Sequence, residues 1–150
     1  MESKRKAFSA LTVAEYHRIM TLRVAVFVVE QNCPYQEIDA IDLTANHFWM
    51  EEDAKIIAYA RIYQMGKNIH FGRVVVAPNA RRQKRGTHFV QQVVDWIEEE
   101  YPGQAIEISA QAHLQSFYEQ FGFQTISERY LEDGIPHVDM RKAGSSPKEV

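Results

Sequence analysis

The chain has 150 residues, a length that suits one domain built on one hydrophobic core. Hydrophobic residues make up 45% and charged residues 25%, with a formal net charge of −3, so the whole molecule is not a general polyanion binder and any attraction for anions is local. Cys33 is the single cysteine, which excludes an internal disulfide and points to a reducing, cytoplasmic setting, and the basic start Met1-Glu2-Ser3-Lys4-Arg5-Lys6 precedes no long apolar run, so neither a signal peptide nor a membrane span is expected.

Thr12-Val13-Ala14-Glu15 reads as a capping box that opens a helix. Tyr16, Ile19, Met20, Leu22 and Val26 follow at helical spacing. The helix is predicted to reach Val29 or Glu30, although Val24 to Val29 also reads as a strand. Asn32-Cys33-Pro34-Tyr35 ends it, and an acidic loop runs through Glu37, Asp39 and Asp42. His47 to Glu51 and Ile56 to Tyr63 are predicted strands joined by a turn at Asp53-Ala54-Lys55. After a second turn at Gly66-Lys67-Asn68, Ile69 to Ala77 reads as a third, central strand.

A helix from about Thr87 to Glu100 follows, with Phe89, Val93 and Ile97 on one stripe. Pro102-Gly103 stops it. Ala105 to Ser109 is a short strand, and Ala112 to Phe121 a short helix ended by Gly122 in the place of a left-handed cap. Phe123 to Tyr130 and Ile135 to Arg141 form a closing hairpin around Asp133-Gly134. The tail from Ala143 is predicted to be disordered. Adjacent antiparallel strands with helices between the later ones imply an α+β, mixed α/β fold in a single domain, ordered over about 8–142.

Between the third strand and its helix, Arg81, Arg82, Lys84 and Arg85 concentrate positive charge. Helix starts leave N–H groups unpaired and carry partial positive charge, so a basic loop turning into one suits a phosphate. On charge alone a solvated basic loop is the commoner meaning of such a run. No Walker-type loop is present, and a dinucleotide fingerprint would need three glycines where Gly86 stands alone.

Val76-Ala77-Pro78-Asn79-Ala80-Arg81-Arg82-Gln83-Lys84-Arg85-Gly86 resembles the acetyl-CoA loop of the GNAT acetyltransferases, V-x-P-x-x-R-G-x-G-x-G. Gln111 to Phe123 resembles their second signature, N-x-x-A-x-x-x-Y-x-x-x-G-F, with Tyr118 and Gly122-Phe123 at the family's spacing. Leu22 to Asp39, Arg73-Val74-Val75-Val76, Ala110-Gln111-Ala112-His113-Leu114 and Glu132 to His137 are similar to the ElaA subgroup. Arg82 and Lys84 stand where the family has glycine, Arg85 where it has an aliphatic residue, and Gln111 where it has asparagine. Extra positive charge thus takes the place of close backbone approach.

The resemblance implies a mostly antiparallel sheet with a splayed parallel strand pair, Arg73–Ala77 beside Ala105–Ser109, that receives acetyl-CoA. It assigns the cofactor to Val74, Val75, Val76, Arg81, Arg82, Gln83, Lys84, Arg85, Gly86, Thr87 and Gln111. The implied reaction is direct attack of a substrate amine on the thioester. Tyr118 would protonate the leaving thiolate, since a phenol near pKa 10 can protonate a thiolate whose parent thiol sits near 8.5. The amine needs a base to strip its proton, with Glu30 and Glu107 as candidates and His47 and His137 as further ones. Gln31, Asp39, Asp42, His47 and His137 fall on the acceptor side, where Glu37, Asp39 and Asp42 would form an acidic rim attracting a cationic amine.

Cys33 lacks an activating neighbour, which argues against an acyl-cysteine. None of the six histidines pairs at metal spacing, so no metal is expected. Expected partners are a small-molecule or peptide amine and, as family members often dimerise, a homodimer; no nucleic acid or membrane partner is expected. Two other readings stand beside the N-acetyltransferase. One is a non-catalytic acyl-CoA sensor on the same fold. The other is an RNA-binding module using Arg81 to Arg85, against which stand the shortness of the run and its lack of interleaved aromatics.

Overall fold

The computed structural model describes residues 2–82 and 84–144, so the disorder predicted for the far tail concerns residues outside that range. The fold class is mixed α+β: a mostly antiparallel sheet with a parallel strand pair, flanked by helices. The chain divides into two compact units, Met1–Tyr63 with Arg73–Val90, and Gln64–Gly72 with Gln91–Val150.

In the first unit, β1 (Glu2–Ala7) pairs antiparallel with β2 (Asn46–Glu52), and β2 with β3 (Lys55–Met65). The reading of the sequence contained no β1. Its residues are polar and charged and have little intrinsic preference for a strand. Pairing against β2 creates it, aided by ion pairs from Lys4 to Glu51 and from Lys6 to Glu15, at 3.3 and 2.8 Å. The turn between β2 and β3 carries Asp53 and Ala54 at φ +53° and +61°, the handedness a tight hairpin requires.

Helix α1 (Val13–Arg23) begins with both halves of the capping box formed by Thr12 and Glu15. From Val24 to Glu30 the helix widens to a π-helix, with Gln31 N–H bonded to Val26 O and Cys33 N–H to Val28 O. The helix-or-strand choice over these valines is thus decided for helix, in its wider form. This stretch and its helix pack as a core, in which Ile19, Met20 and Val26 meet Trp49, Ile56, Tyr59 and Val75, with Tyr16, Leu22 and Phe27 alongside. Val75 lies in β4 (Asn68–Val76).

In the second unit, the opening of β4 runs parallel to β5 (Ile106–Gln111), with Ile69 opposite Ile106 and His70 opposite Glu107. Two short strands, β6 (Gln124–Thr125) and β7 (Tyr130–Glu132), both pair with β8 (Ile135–Lys142), which also pairs with β5. The single strand expected from Phe123 to Tyr130 is therefore broken. Ser127 Oγ accepts the Asp139 N–H, and this side-chain bond takes the place of a ladder bond. The β7–β8 turn falls at Asp133-Gly134 as expected, with φ +50° and +78°.

Helix α2 (Arg85–Glu100) buries Phe89, Val90, Val93, Val94 and Ile97. Helix α3 (Gln115–Glu119) is one short turn, and Gly122 at φ +94° reverses the chain after it. The rings of Phe71, Tyr118 and Phe123 then meet, with centroids 5.8–6.4 Å apart.

Candidate functional site

The basic loop is only half free. Arg81 donates from Nε to Val76 O at 3.1 Å and from both terminal nitrogens to the Glu30 carboxylate, each at 2.6 Å. That hydrogen-bonded pair holds the Glu30 carboxyl below the usual glutamate range. Arg85 is ion-paired to Glu52. The side chains of Arg82 and Lys84 are exposed and hold no ion pair among the described residues.

Lys84 takes φ +58°, the left-handed conformation that glycine adopts most easily. It stands at a position where the resembled loop has glycine. The backbone turn is therefore present here with a lysine side chain added to it. Helix α2 starts at the next residue, placing Gly86 and Thr87 in its first turn. Gln83 lies outside the described residues. Val74 and Val76 are half-buried and Val75 is buried in the core of the first unit.

The acidic loop differs from the expected rim. Glu37 and Asp42 are 4% and 2% exposed. Arg23, with no exposed surface, holds Glu37 through Nε at 2.5 Å and Asp42 through Nη1 at 2.8 Å. Arg61 holds Asp39 at 2.6 Å and Asp42 at 3.1 Å, and Arg73 reaches Glu37 at 3.0 Å. Burial would raise the Asp39 carboxyl, but the Arg61 bond, the charges of Arg61 and Arg73 and the Ile41 N–H together outweigh it, and the net shift is downward. Three arginines thus face three carboxylates, with Arg23, Arg61, Glu37 and Asp42 buried and Arg73 and Asp39 half-buried. The physical reason is that a buried charge is tolerated only when paired.

His47 is completely buried. Its Nε2 lies 2.9 Å from Asp42 O and its Nδ1 2.6 Å from the Tyr59 hydroxyl. A carbonyl only accepts, so Nε2 carries the proton and Nδ1 accepts from Tyr59. Burial lowers the pKa, keeping the ring neutral. Asp42 and His47, expected on the acceptor side, point their bonds inward. Gln31 is exposed at the end of the π-helix.

In the second unit, Tyr118 is buried among Phe71, Phe117 and Phe123. Burial pushes its phenol well above the ordinary tyrosine value. No hydrogen bond ties its hydroxyl among the described residues, so the proton is held and uncommitted. Glu107 is half-buried, not enclosed as a central-strand carboxylate would be, and accepts from Asn68 Nδ2 at 2.5 Å. Gln111 at the end of β5 lies opposite His137 in the β5–β8 register. His137 is bonded through Nδ1 to Ile135 O at 2.7 Å, lies 3.3 Å from Glu132 and stacks on Tyr130. A cavity of about 280 Å³ opens beside this turn, lined by Ala112, His113, Arg129, Ile135 and Pro136.

The reading of the sequence missed Arg23 and Arg61 and gave Arg73 no side-chain role. A signal existed. Leu22-Arg23-Val24, Ala60-Arg61-Ile62 and Gly72-Arg73-Val74 each set an arginine inside an apolar run, where a charge needs a buried partner. Glu37, Asp39 and Asp42 were the available acids.

Comparison with known proteins agrees with this architecture. The family model described as an acetyltransferase (GNAT) domain matches residues 11–143. The protein ElaA of Escherichia coli is 40% identical over 139 residues, covering 89% of this chain and 91% of that protein. A UPF0039 protein of Schizosaccharomyces pombe is 39% identical over 144 residues, covering 94% of this chain and 96% of that protein. The crystal structure of an acyl-CoA N-acyltransferase from Pseudomonas aeruginosa superimposes with a TM-score of 0.91 at 37% identity, covering 95% of this chain and 99% of that one.

Proposed function

The chain belongs to the GNAT acetyltransferase family, and we propose that it moves the acetyl group of acetyl-CoA to a primary amine by direct attack in a ternary complex. It is an acyltransferase; the donor, the acceptor class and the roles of individual residues are the proposal. We take residues 8–142 to act as one acetyltransferase domain. The observation that carries the reading is Lys84. A non-glycine residue held left-handed directly before a helix start, with Arg82 and Lys84 in no ion pair among the described residues, suits a diphosphate-binding loop.

The donor supplies an activated thioester. N–H groups from Lys84 to Thr87, with Gln83, hold its diphosphate, and the side chains of Arg82 and Lys84 add long-range attraction. The backbone of Val74 and Val76 binds the pantetheine arm as an added strand, and Gln111 binds it through its amide. A backbone N–H of the Val74–Val76 segment stabilises the oxyanion. Tyr118, protonated at neutral pH, gives its proton to the departing sulfur.

Glu107 is the better candidate for the base. One of its oxygens is engaged by Asn68, while both oxygens of Glu30 are engaged by Arg81. Glu30 then serves by holding Arg81 in the loop. The other acceptor-side candidates divide. Gln31, His137 and the half-buried Asp39 remain as contacts for the amine substrate, whereas Asp42 and His47, buried and bonded inside the protein, act by supporting the surrounding loop.

Thermal melting with acetyl-CoA, CoA and RNA, followed by a panel of amines with detection of released thiol, tests the reading. A ligand of the native state raises the melting temperature. Stabilisation by acetyl-CoA and thiol release with at least one amine are expected. Stabilisation by CoA with no turnover of any amine would leave a sensor, and stabilisation by RNA alone would end the acetyltransferase reading.

A further inference from the structure

We propose that Arg73 is a positioning residue: its side chain, clamped by Glu37, Asp39 and Tyr35, holds the chain left-handed at the start of Val74–Val76 and so aims the backbone groups that take the cofactor. The inference rests on the cofactor role proposed above for Val74–Val76.

Arg73 takes φ +50° in the middle of a strand. A non-glycine residue stays in that region only where its surroundings hold it there. The surroundings are explicit. Arg73 Nε lies 3.0 Å from Glu37 Oε1 and 3.1 Å from Oε2. Nη2 donates to Glu37 O at 3.3 Å and reaches Asp39 Oδ2 at 3.5 Å. The guanidinium also lies over the Tyr35 ring, 5.4 Å from its centroid. Tyr35 in turn hydrogen-bonds Glu37.

Glu37 is itself immobilised, because it is buried and held by the fully buried Arg23 at the end of α1. The clamp therefore runs from α1 through the acidic loop to β4. A single left-handed residue interrupts the pleat and re-aims the residues that follow it. The next three are Val74, Val75 and Val76, the segment assigned to the pantetheine arm.

Comparing Arg73→Ala, Arg73→Gly and Arg73→Lys separates positioning from other roles. Alanine loses the clamp and resists the left-handed turn, glycine loses the clamp but adopts the turn freely, and lysine keeps one charged contact. Acetyl-CoA dissociation constants measured by calorimetry should weaken roughly tenfold in the alanine variant, about the factor that one left-handed residue represents. Glycine should recover affinity to within about threefold of the native protein, and lysine should fall between them. The rise should appear in KM for acetyl-CoA, with kcat changing less.

Backbone amide shifts of Val74 to Val76, recorded without cofactor, should move in the alanine variant and stay near native in the glycine variant. This readout is independent of acetyl-CoA. If the native protein fails to bind acetyl-CoA, the function proposed above falls, and these shifts still judge the clamp. Native affinity in Arg73→Ala, or equal loss in alanine and glycine, would overturn the positioning role. So would melting temperatures that fall in all three variants while affinities and shifts stay native.

Discussion

Arg81 grips Glu30 with both terminal nitrogens, Nη1 on Oε2 and Nη2 on Oε1, while its Nε holds Val76 O. A residue of the basic loop is thereby tied to the end of the π-helix and to the last residue of β4. The pair is exposed, so salt screens it and its contribution is modest. Glu30→Gln should raise KM for acetyl-CoA roughly two- to fivefold and leave kcat within about twofold. Its pH–rate profile near neutrality should match that of the native enzyme, since the native carboxyl titrates below its usual range. A hundredfold fall in kcat at unchanged KM would instead make Glu30 the base.

Tyr118 offers a test with little structural noise. Its hydroxyl holds no hydrogen bond among the described residues, so Tyr118→Phe leaves no orphaned partner. Melting temperature and acetyl-CoA affinity should stay near native, while kcat falls by about 10²-fold or more. Native kcat, under conditions where chemistry limits the rate, would remove the acid role.

Lys84→Gly should separate conformation from charge. Relief of the left-handed lysine is worth about 1–2 kcal/mol, and the greater freedom of glycine in the unfolded chain costs about 0.5–1 kcal/mol. The variant should gain roughly 0.5–1 kcal/mol of stability in a denaturant melt. It should also lose part of the salt dependence of acetyl-CoA binding, because one exposed cation is gone. A less stable variant would mean that the lysine side chain supports the turn.

His47 predicts an acid-side loss of stability. Its folded pKa lies below the ordinary 6.5 because burial disfavours the charged ring. The unfolded chain therefore takes up a proton first as pH drops. The contribution is complete above about pH 6.5 and is lost as pH falls through the folded value. Melting temperatures between pH 7.5 and 5 should decline more steeply in the native protein than in His47→Gln. Parallel curves would show that other groups govern the decline.

Asp42→Asn should be among the most damaging single changes. It leaves Arg23 and Arg61 each short of a buried counter-charge. Breaking such a pair by removing one partner costs about 3–5 kcal/mol, a large share of an ordinary domain's stability. Denaturant unfolding measures it, and a loss under 1 kcal/mol would show that the cluster tolerates a missing charge.

Local patterns in the chain determined much of the outcome. The capping box at Thr12, the stripe of Phe89, Val93 and Ile97, the Asp133-Gly134 turn and the left-handed Gly122 each depend on residues close in sequence, so short-range chemistry suffices to specify them. Tertiary structure decided the rest. β1 exists because β2 lies beside it, Glu37 and Asp42 turned inward because Arg23, Arg61 and Arg73 converge on them from distant segments, and Glu30 was drawn to Arg81 from 51 residues away. A charge is read as exposed until its partner is known, and partners brought together by folding have no fixed spacing along the chain.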